Sequence, residues 1–296
     1  MIPGMGNTRV NRLINYIQQF GLELSVLRVI RQQTRFRLIV MWDNAIAALL
    51  SQCSDDVFEE ADKQVEYARH QGLNMVHVLE EAYPQSLKHY LGEGTPPVVF
   101  LKGNPGLLHK TAGAVVGTRD PSKRGVKAAQ KAALTITRKA EVLVSGGAAG
   151  VDHAAHDAVI RAGGNTVVML PQGIVSWPFP ESWKSALEEG RIALVSAYLP
   201  EAPWQTHGAV SRNALISALA QVVCVVEPRK QGGSILTMRH AIEQRKPVFV
   251  APVDALPESL KPLAQPMQQL QQALETFDFE NARTSLGEDS GQIELL

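Results

Sequence analysis

Residues 145–150 form a run of small residues, Ser-Gly-Gly-Ala-Ala-Gly, between a predicted buried strand at 142–144 and a predicted helix at 151–162. Small residues let the backbone approach a ligand closely, and the N–H groups and dipole of a helix N-terminus favour an anion. This first glycine turn therefore predicts a phosphate site; a tight connection that binds nothing is the alternative. The residues expected to contact phosphate are Ser145, Gly146, Gly147 and Gly150.

A second glycine turn precedes a predicted helix at 234–244 and is a candidate phosphate site for the same reason. Arg212 and Asn213 begin another predicted helix, at 212–220, where they either bind phosphate or cap the helix. The expected contacts in the second glycine turn and the first turn of its helix are Gly232, Gly233, Ser234 and Thr237.

Two common nucleotide-binding motifs are absent from the sequence. A dinucleotide site needs Gly-x-Gly-x-x-Gly and a carboxylate at the end of the next strand, but that strand ends in Leu170-Pro171-Gln172. The Gly-x4-Gly-Lys-Ser/Thr loop of P-loop nucleotidases is missing as well. We therefore expect no nicotinamide cofactor, and the sequence indicates no other cofactor.

Asp152, His153 and His156 suggest a metal site, because the two histidines share one face of a helix. A metal centre usually needs at least three protein ligands, and the sequence offers no second cluster of them. We therefore predict that no metal is bound there.

The composition indicates a globular protein without a membrane segment. Hydrophobic residues make up 45% of the 296 residues, and no apolar run approaches the length of a membrane span. The two cysteines, Cys53 and Cys224, indicate neither a disulfide framework nor a thiolate metal site, which favours a cytoplasmic protein.

Charge is unevenly distributed along the chain, which has 29 basic and 29 acidic residues in total. Residues 262–296 hold one basic and six acidic residues, which leaves 28 basic and 23 acidic residues in the part before them. That mild basic bias is not the footprint of a histone-like DNA binder.

Apolar, strand-like runs alternate with helix-like stretches from residue 98 onward. Strands are predicted at 98–101, 114–116, 142–144, 166–170, 192–195, 222–226 and 247–251, and a short extended segment at 74–79. Helices are predicted at 123–139, 151–162, 181–189, 212–220 and 234–244. Because strands this apolar have no wet face, the pattern predicts an α/β fold with a doubly wound, mostly parallel sheet that is covered on both sides.

Three regions are predicted along the chain. Residues 1–95 have apolar side chains at helical spacing and form a small, mainly helical N-terminal domain that ends at a proline-rich segment. Residues 96–255 form the sheet domain. Residues 256–296 form one amphipathic helix at 262–279 and an acidic tail that is expected to be disordered from residue 287.

Ligands of such sheets bind beyond the carboxyl ends of the strands. The strand ends here are residues 117–119, 145–150, 171–173, 196–198 and 227–229. Arg119 is the best candidate for a phosphate contact, because it stands beside a glycine at a strand end. The contacts expected at and just after this strand end are Gly117, Thr118, Arg119 and Lys123. Three aromatic residues are more typical of core packing than of base stacking: Trp177, Phe179 and Trp183.

Five motifs in this order resemble those of the DNA-processing protein A (DprA/Smf) family. Residues 116–122, Val-Gly-Thr-Arg-Asp-Pro-Ser, are similar to its Val-Gly-Ser-Arg-x-x-Ser. Residues 145–156 are similar to its Ser-Gly-x-Ala-x-Gly-Ile-Asp-x-x-Ala-His, and residues 212–216 to its Arg-Asn-Arg-Ile-Ile. Residues 226–237 contain counterparts of its Val-Glu-Ala and Ser-Gly-Ser-Leu-x-Thr-Ala. The resemblance spans roughly residues 71–252.

The resemblance implies an extended Rossmann-like domain that binds single-stranded DNA, forms a homodimer and helps to load the recombinase RecA, without catalysis. Its implied role is to protect incoming DNA during transformation and recombination. In that family the residues matching Asp152 and His156 shape the loop. We therefore expect Asp152 to brace the first glycine turn through backbone N–H groups and His156 to pack behind it.

The chain departs from the family at several positions, and we expect a divergent member without the family's C-terminal winged helix. The departures are Gly147 for a larger apolar residue, Pro171 for glycine, Val175 for aspartate, Ala197 for glutamate, and Ala209-Val210 for Phe-Pro.

Two other classes of function stay open. The second glycine turn also resembles the Gly-Gly-x-Gly-Thr-x-x-Glu loop of lysine-decarboxylase-like (LOG) phosphoribohydrolases. An enzyme or nucleotide sensor could therefore use the same strand ends. However, Glu243 lies six residues past Thr237 where that motif needs three, so the enzyme would lack its acid. A partner-binding scaffold is the other class. We favour the non-catalytic binder of single-stranded DNA.

Overall fold

The computed structural model describes residues 6–19, 55–230 and 232–285. Predictions for residues 20–54 and 286–296, which include the rest of the N-terminal helical pattern, Cys53 and the acidic tail, lie outside these residues. Among the described helices, none combines the length and the apolar character that crossing a membrane requires.

The described strands form one sheet of nine strands in the order β1-β2-β6-β5-β4-β3-β7-β8-β9. They are β1 (Asn74–His77), β2 (Val98–Gly103), β3 (Ala112–Gly117), β4 (Val142–Gly146), β5 (Asn165–Leu170), β6 (Ile192–Ser196), β7 (Val222–Val226), β8 (Val248–Ala251) and β9 (Gln265–Pro266). Strand β2 pairs antiparallel with β1 and β6, and all other neighbours are parallel. The predicted doubly wound, mostly parallel sheet is confirmed.

Ten α-helices lie in the described part of the chain: α1 (Asn7–Gln19), α2 (Asp55–His70), α3 (Gln85–Leu91), α4 (Lys123–Ile136), α5 (Val151–Arg161), α6 (Lys184–Glu188), α7 (Thr206–Leu219), α8 (Gly233–Glu243), α9 (Leu270–Thr276) and α10 (Phe279–Thr284). Helix α7 begins six residues before its predicted start. Gly208 in its first turn is buried, and a Cβ there would lie 2.4 Å from the carbonyl oxygen of Pro171. This glycine allows close packing and does not end the helix.

The single helix predicted at 262–279 is wrong. Residues Glu258–Leu263 and Met267–Gln269 form 3-10 helices, with β9 between them pairing with β8. Proline has no backbone N–H and clashes with the preceding turn of an α-helix, and Pro262 and Pro266 both fall in this segment. Asp278 then caps α10 by accepting a hydrogen bond from the Asn281 N–H at 2.9 Å, which starts a separate helix.

Helices cover both faces of the sheet. Side chains from α4, α5 and α9 pack on one face, and side chains from α3, α7 and α8 on the other. The domain boundaries near residues 95 and 255 stay predictions, although β1, from before the first boundary, pairs with β2.

The chain reverses its direction of travel across the sheet at β3. From β3 it crosses outward to β4, β5 and β6, whereas β7 and β8 lie on the other side of β3. The crevice beyond the carboxyl ends of β3 and β7 is therefore the position where open α/β sheets bind ligands.

Candidate functional site

A cavity of about 420 Å³ opens at the carboxyl ends of β3 and β7. Its walls come from the segment after β3, the first glycine turn, α7 with the loop before it, and the segment that joins β7 to α8. The predicted phosphate contacts in its lining are Gly117, Thr118, Arg119, Arg212, Asn213, Gly232, Gly233, Ser234 and Thr237.

Arg119 follows β3 on a short loop whose backbone is held by neighbouring elements. The Thr118 N–H donates to the Val226 carbonyl at 3.3 Å, and the Thr118 carbonyl accepts from the Val151 N–H at 3.1 Å. The Arg119 side chain is exposed at the cavity, and its guanidinium carbon lies 5.5 Å from the ring centroid of Trp204. A cationic side chain is thus presented from a fixed backbone.

Glu227 holds the other end of that loop. It follows β7 in the left-handed conformation, with φ of 45°. Its carboxylate accepts hydrogen bonds from the Ser122 N–H at 2.8 Å and from the Ser122 hydroxyl, and a Cβ on Gly125 would lie 2.5 Å from its Cδ. Lys123, the next residue, is exposed at the start of α4 and does not line the cavity.

Two buried side chains close the first glycine turn. Asp152, in the first turn of α5, accepts hydrogen bonds from the N–H groups of Ala148 and Gly117. Nη1 of Arg212, from α7, lies 3.8 Å from Oδ2 of Asp152. The guanidinium rests on Gly146, where a Cβ would lie only 1.7 Å from Nη1. The carboxylate of Asp152 therefore fills the anion position that a phosphate was expected to take.

The other residues of the first glycine turn shape it from inside. The buried Ser145 hydroxyl donates to the Val115 carbonyl at 2.5 Å. Gly150 adopts a φ of 83°, which favours glycine. The Gly147 carbonyl accepts a hydrogen bond from the Trp177 indole at 3.1 Å. Direct phosphate contact by Ser145, Gly146, Gly147 and Gly150 stays a prediction, and this geometry does not favour it.

His156 supports the same turn from behind. Its Nε2 lies 3.1 Å from the Gly146 carbonyl and its Nδ1 lies 2.7 Å from the Thr166 hydroxyl. Complete burial lowers the pKa of His156 to about 3, so the ring is neutral. A neutral ring that donates from Nε2 to Gly146 accepts from Thr166 at Nδ1. The loop-shaping roles of Asp152 and His156 stay a prediction.

Burial also shifts the pKa values of Asp152 and Arg212, in each case towards the neutral form. Desolvation raises the pKa of Asp152 to about 6, and Arg212 and the backbone N–H groups oppose that rise. Desolvation lowers the pKa of Arg212 from its ordinary value, and Asp152 opposes that fall. Only 5% of Arg212 is exposed, and its Nε has no hydrogen-bond partner among the described residues. An unpaired buried donor is costly and needs an explanation such as an unseen ligand.

The second glycine turn is open to the cavity. Helix α8 begins at Gly233 with no acidic residue in its first turn, and Gly232 supplies no side-chain cap. The N–H groups of the first helical turn have no partner within the helix, and the helix dipole makes this end positive. Ser234 and Asn213 complete the wall. Unlike the first glycine turn, this one has no carboxylate at its helix N-terminus, and its phosphate contacts stay a prediction.

The family of the chain can now be stated from comparison with known proteins. The family model for DNA recombination-mediator protein A matches residues 74–278. The chain belongs to this family. The resemblance indicated by the five motifs is thus confirmed. The chain is 32% identical to the DNA processing protein DprA of Bacillus subtilis (strain 168) over 212 residues, which are 71% of either protein.

Other DprA proteins are similar in sequence or structure. The DprA of Streptococcus pneumoniae (strain ATCC BAA-255 / R6) is 34% identical over 212 residues, 68% of this chain and 73% of that protein. The X-ray structure of DprA from Streptococcus pneumoniae matches with a TM-score of 0.73 at 26% identity, covering 94% of this chain and 95% of that one. The DprA of Helicobacter pylori, whose structure addresses its single-stranded DNA binding mode, shares the fold: the TM-score is 0.50 at 23% identity, over 73% of this chain and 96% of that one.

The motifs of the DprA family converge on the cavity, but the acid of the LOG-type alternative does not. Glu243 lies at the C-terminal end of α8, ten residues from Gly233 and hence about 15 Å along the helix. Its side chain is 71% exposed and pairs with His240 at 3.5 Å. Asp152 is the one carboxylate in the described lining, and Arg212 already neutralises it.

Of the three aromatic residues after β5, Trp177 and Trp183 are buried in the core, and Phe179 is half-buried and packs against them. Trp183 is 1% exposed and its indole donates to Asp157 at 2.7 Å. His153 stacks on Trp183 at 4.9 Å, and His156 makes a T-shaped contact with the same indole at 5.4 Å while its Nε2 faces the Gly146 carbonyl. Within the described residues there is no group of three His, Cys, Asp or Glu side chains that could hold a metal.

Sequence reasoning missed two functional candidates. Arg229 was recognised only as part of a strand end, yet it lines the cavity and gives it three arginines, with Arg119 and Arg212, against one aspartate. Trp204 also lines the cavity and is 45% exposed. Its only signal in the sequence is a tryptophan in a loop, where binding residues are common.

Proposed function

We propose that this chain binds single-stranded DNA without catalysis, with the DNA backbone lying across the cavity between β3 and β7. The observation that carries the proposal is the charge of the cavity, whose described lining has three arginines, Arg119, Arg212 and Arg229, and one aspartate, Asp152. Arginine guanidinium groups make strong hydrogen bonds to phosphate oxygens.

The elements around Arg212 support a phosphodiester ligand. The N-terminus of α8 lines the cavity without a side-chain cap, and Arg119 lines it from a loop whose backbone is hydrogen-bonded to its neighbours. Cations and helix N–H groups on several walls suit an extended anion with more than one phosphate. The cavity volume of about 420 Å³ is sufficient for one nucleotide unit at a time and leaves the rest of a strand outside.

The absence of a catalytic role is also part of the proposal. It is supported by Asp152, whose carboxylate already interacts with Arg212 and with two backbone N–H groups. A general acid or nucleophile would need a group within reach of the ligand. The wider role is proposed from family membership: protection of DNA in the cytoplasm and loading of a RecA-type recombinase by a homodimer, in transformation or recombination.

The test is the salt dependence of binding to a fluorescent oligothymidylate. Arg119→Ala should weaken binding and reduce the slope of log K against log salt by roughly 1, because one phosphate contact is lost. Arg138→Ala is the matched control, since Arg138 is an exposed arginine just before β4, near the amino ends of the parallel strands, whereas the cavity lies at their carboxyl ends. Binding that does not depend on salt, or equal effects of the two substitutions, would contradict the proposal.

A further inference from the structure

The mouth of the cavity carries an apolar surface beside its arginines. Trp204 is the one aromatic residue among the exposed large hydrophobic residues of the described chain, and Val210, 46% exposed, lines the same cavity. Exposed large apolar side chains grouped at one site mark an interaction surface. Arg212 and Ser234 line the same cavity, so it offers both apolar and polar side chains to a ligand.

We propose that Trp204, held against Arg119, is a stacking surface for an unpaired nucleobase of the bound strand. The inference rests on the proposed function and adds the part of the ligand that the phosphate contacts leave unassigned. It also identifies the feature that selects a single strand, because bases in a duplex are already stacked and paired.

The position of Arg119 supports a stacking role for the indole. Its guanidinium carbon lies 5.5 Å from the ring centroid of Trp204, within the range of a cation–π contact. That contact orients the ring and leaves nearly half of the side chain exposed. An arginine that contacts phosphate and also holds a tryptophan couples the backbone contact to the base contact.

Other aromatic side chains near the sheet are buried or make other contacts. Trp177 and Trp183 are buried, and their indole N–H groups donate to Gly147 and Asp157. The ring of Tyr198 is half-buried and lies 6.5 Å from that of His207. Within the described residues, Trp204 is therefore the aromatic residue that both lines the cavity and is exposed.

The experiment compares two oligonucleotide probes of the same length and charge: oligothymidylate and an oligomer of abasic sites. The wild-type protein should bind oligothymidylate more tightly than the abasic oligomer. Trp204→Ala should lower the affinity for oligothymidylate about 10-fold, which corresponds to about 1.4 kcal/mol, and leave that for the abasic oligomer nearly unchanged. Trp204→Phe should restore most of the loss, whereas Trp204→Leu should not. Leu263→Ala, at an exposed apolar residue outside the cavity lining, is the control.

A second measurement does not depend on the alanine variant. Stacking should quench the emission of Trp204, so the quenching by oligothymidylate should be larger in the wild type than in Trp204→Phe. Equal affinity of the wild type for both probes, or equal weakening of both by Trp204→Ala, would overturn the stacking role and leave DNA binding intact. Failure of the wild type to bind either probe would overturn both proposals.

Discussion

The two glycine turns of this protein each precede a helix near the same cavity, but they use their helix N-termini differently. At the first glycine turn the Asp152 carboxylate accepts hydrogen bonds from the N–H groups of Ala148 and Gly117, and the Arg212 guanidinium lies over Gly146. At the second glycine turn α8 has no acidic residue in its first turn, and Gly233 lines the cavity. A carboxylate in the first helical turn lets the protein fill its own anion position.

Substitutions in the two turns should therefore affect different properties of the protein. The first glycine turn contains a buried ion pair and buried hydrogen bonds, so changes there should affect mainly stability. The second glycine turn lines the cavity and has no acidic residue in its first helical turn, so changes there should affect mainly binding. Arg212 belongs to both, because Nη1 lies against the first glycine turn while the residue also lines the cavity.

The largest effect is expected from Arg212→Gln. Removing one partner of a buried pair leaves the Asp152 carboxylate uncompensated, which should lower the free energy of unfolding by about 3–5 kcal/mol at pH 8. The loss should shrink towards pH 5. The folded-state pKa of Asp152, about 6 even with Arg212 present, lies above the unfolded value, so protonation favours the folded state as the pH falls. Urea unfolding at the two pH values measures both effects.

The control for Arg212→Gln is the double variant with Asp152→Asn. If the pair acts as described, the double variant should be more stable than Arg212→Gln alone at pH 8, and its stability should depend less on pH. Equal stability of the single and double variants at both pH values would mean that Asp152 carries no buried charge.

Adding one methyl group to each turn should affect stability less than Arg212→Gln does, and the effect should differ between the two turns. In Gly146→Ala the new Cβ would lie 1.7 Å from Nη1 of Arg212 and 2.6 Å from Oδ2 of Asp152, so the guanidinium must move. We expect a loss of about 1–3 kcal/mol. In Gly233→Ala the Cβ would lie 3.3 Å from Nδ2 of Asn213, and the change should stay within about 0.5 kcal/mol. Thermal unfolding compares the two; equal losses would mean that the second glycine turn is as closed as the first.

The sheet was predictable because its strands are short apolar runs separated by helical intervals. The strands at 222–226 and 142–144, for example, carry almost no polar residue, which only a sheet covered on both faces allows. The place of Arg119 at the cavity was predictable as well, since residues that follow the strands of such a sheet lie at its carboxyl end, and its phosphate contact stays a prediction. Asp152 and His156 both contact the first glycine turn, and their loop-shaping roles stay a prediction.

Other features depend on contacts between distant residues. The closure of the first glycine turn needs Arg212, sixty residues after Asp152, and local sequence does not reveal that pair. The early start of α7 depends on the fit of Gly208 against Pro171. The error at 262–279 has a local cause instead, because the helix was predicted from apolar spacing although Pro262 and Pro266 interrupt it.

The smallest effects, and the most direct comparison, come from the serine in each turn. Ser145→Ala removes a buried hydroxyl that donates to the Val115 carbonyl and should lower the free energy of unfolding by about 1 kcal/mol, with little change in DNA affinity. Ser234→Ala removes a hydroxyl from the cavity wall and should weaken binding of oligothymidylate about 2–10-fold without lowering stability. Thermal unfolding and fluorescence anisotropy on both variants separate the two outcomes. If Ser145→Ala weakened binding more than Ser234→Ala did, the first glycine turn would be the phosphate site after all, and Asp152 would have to move aside when DNA binds.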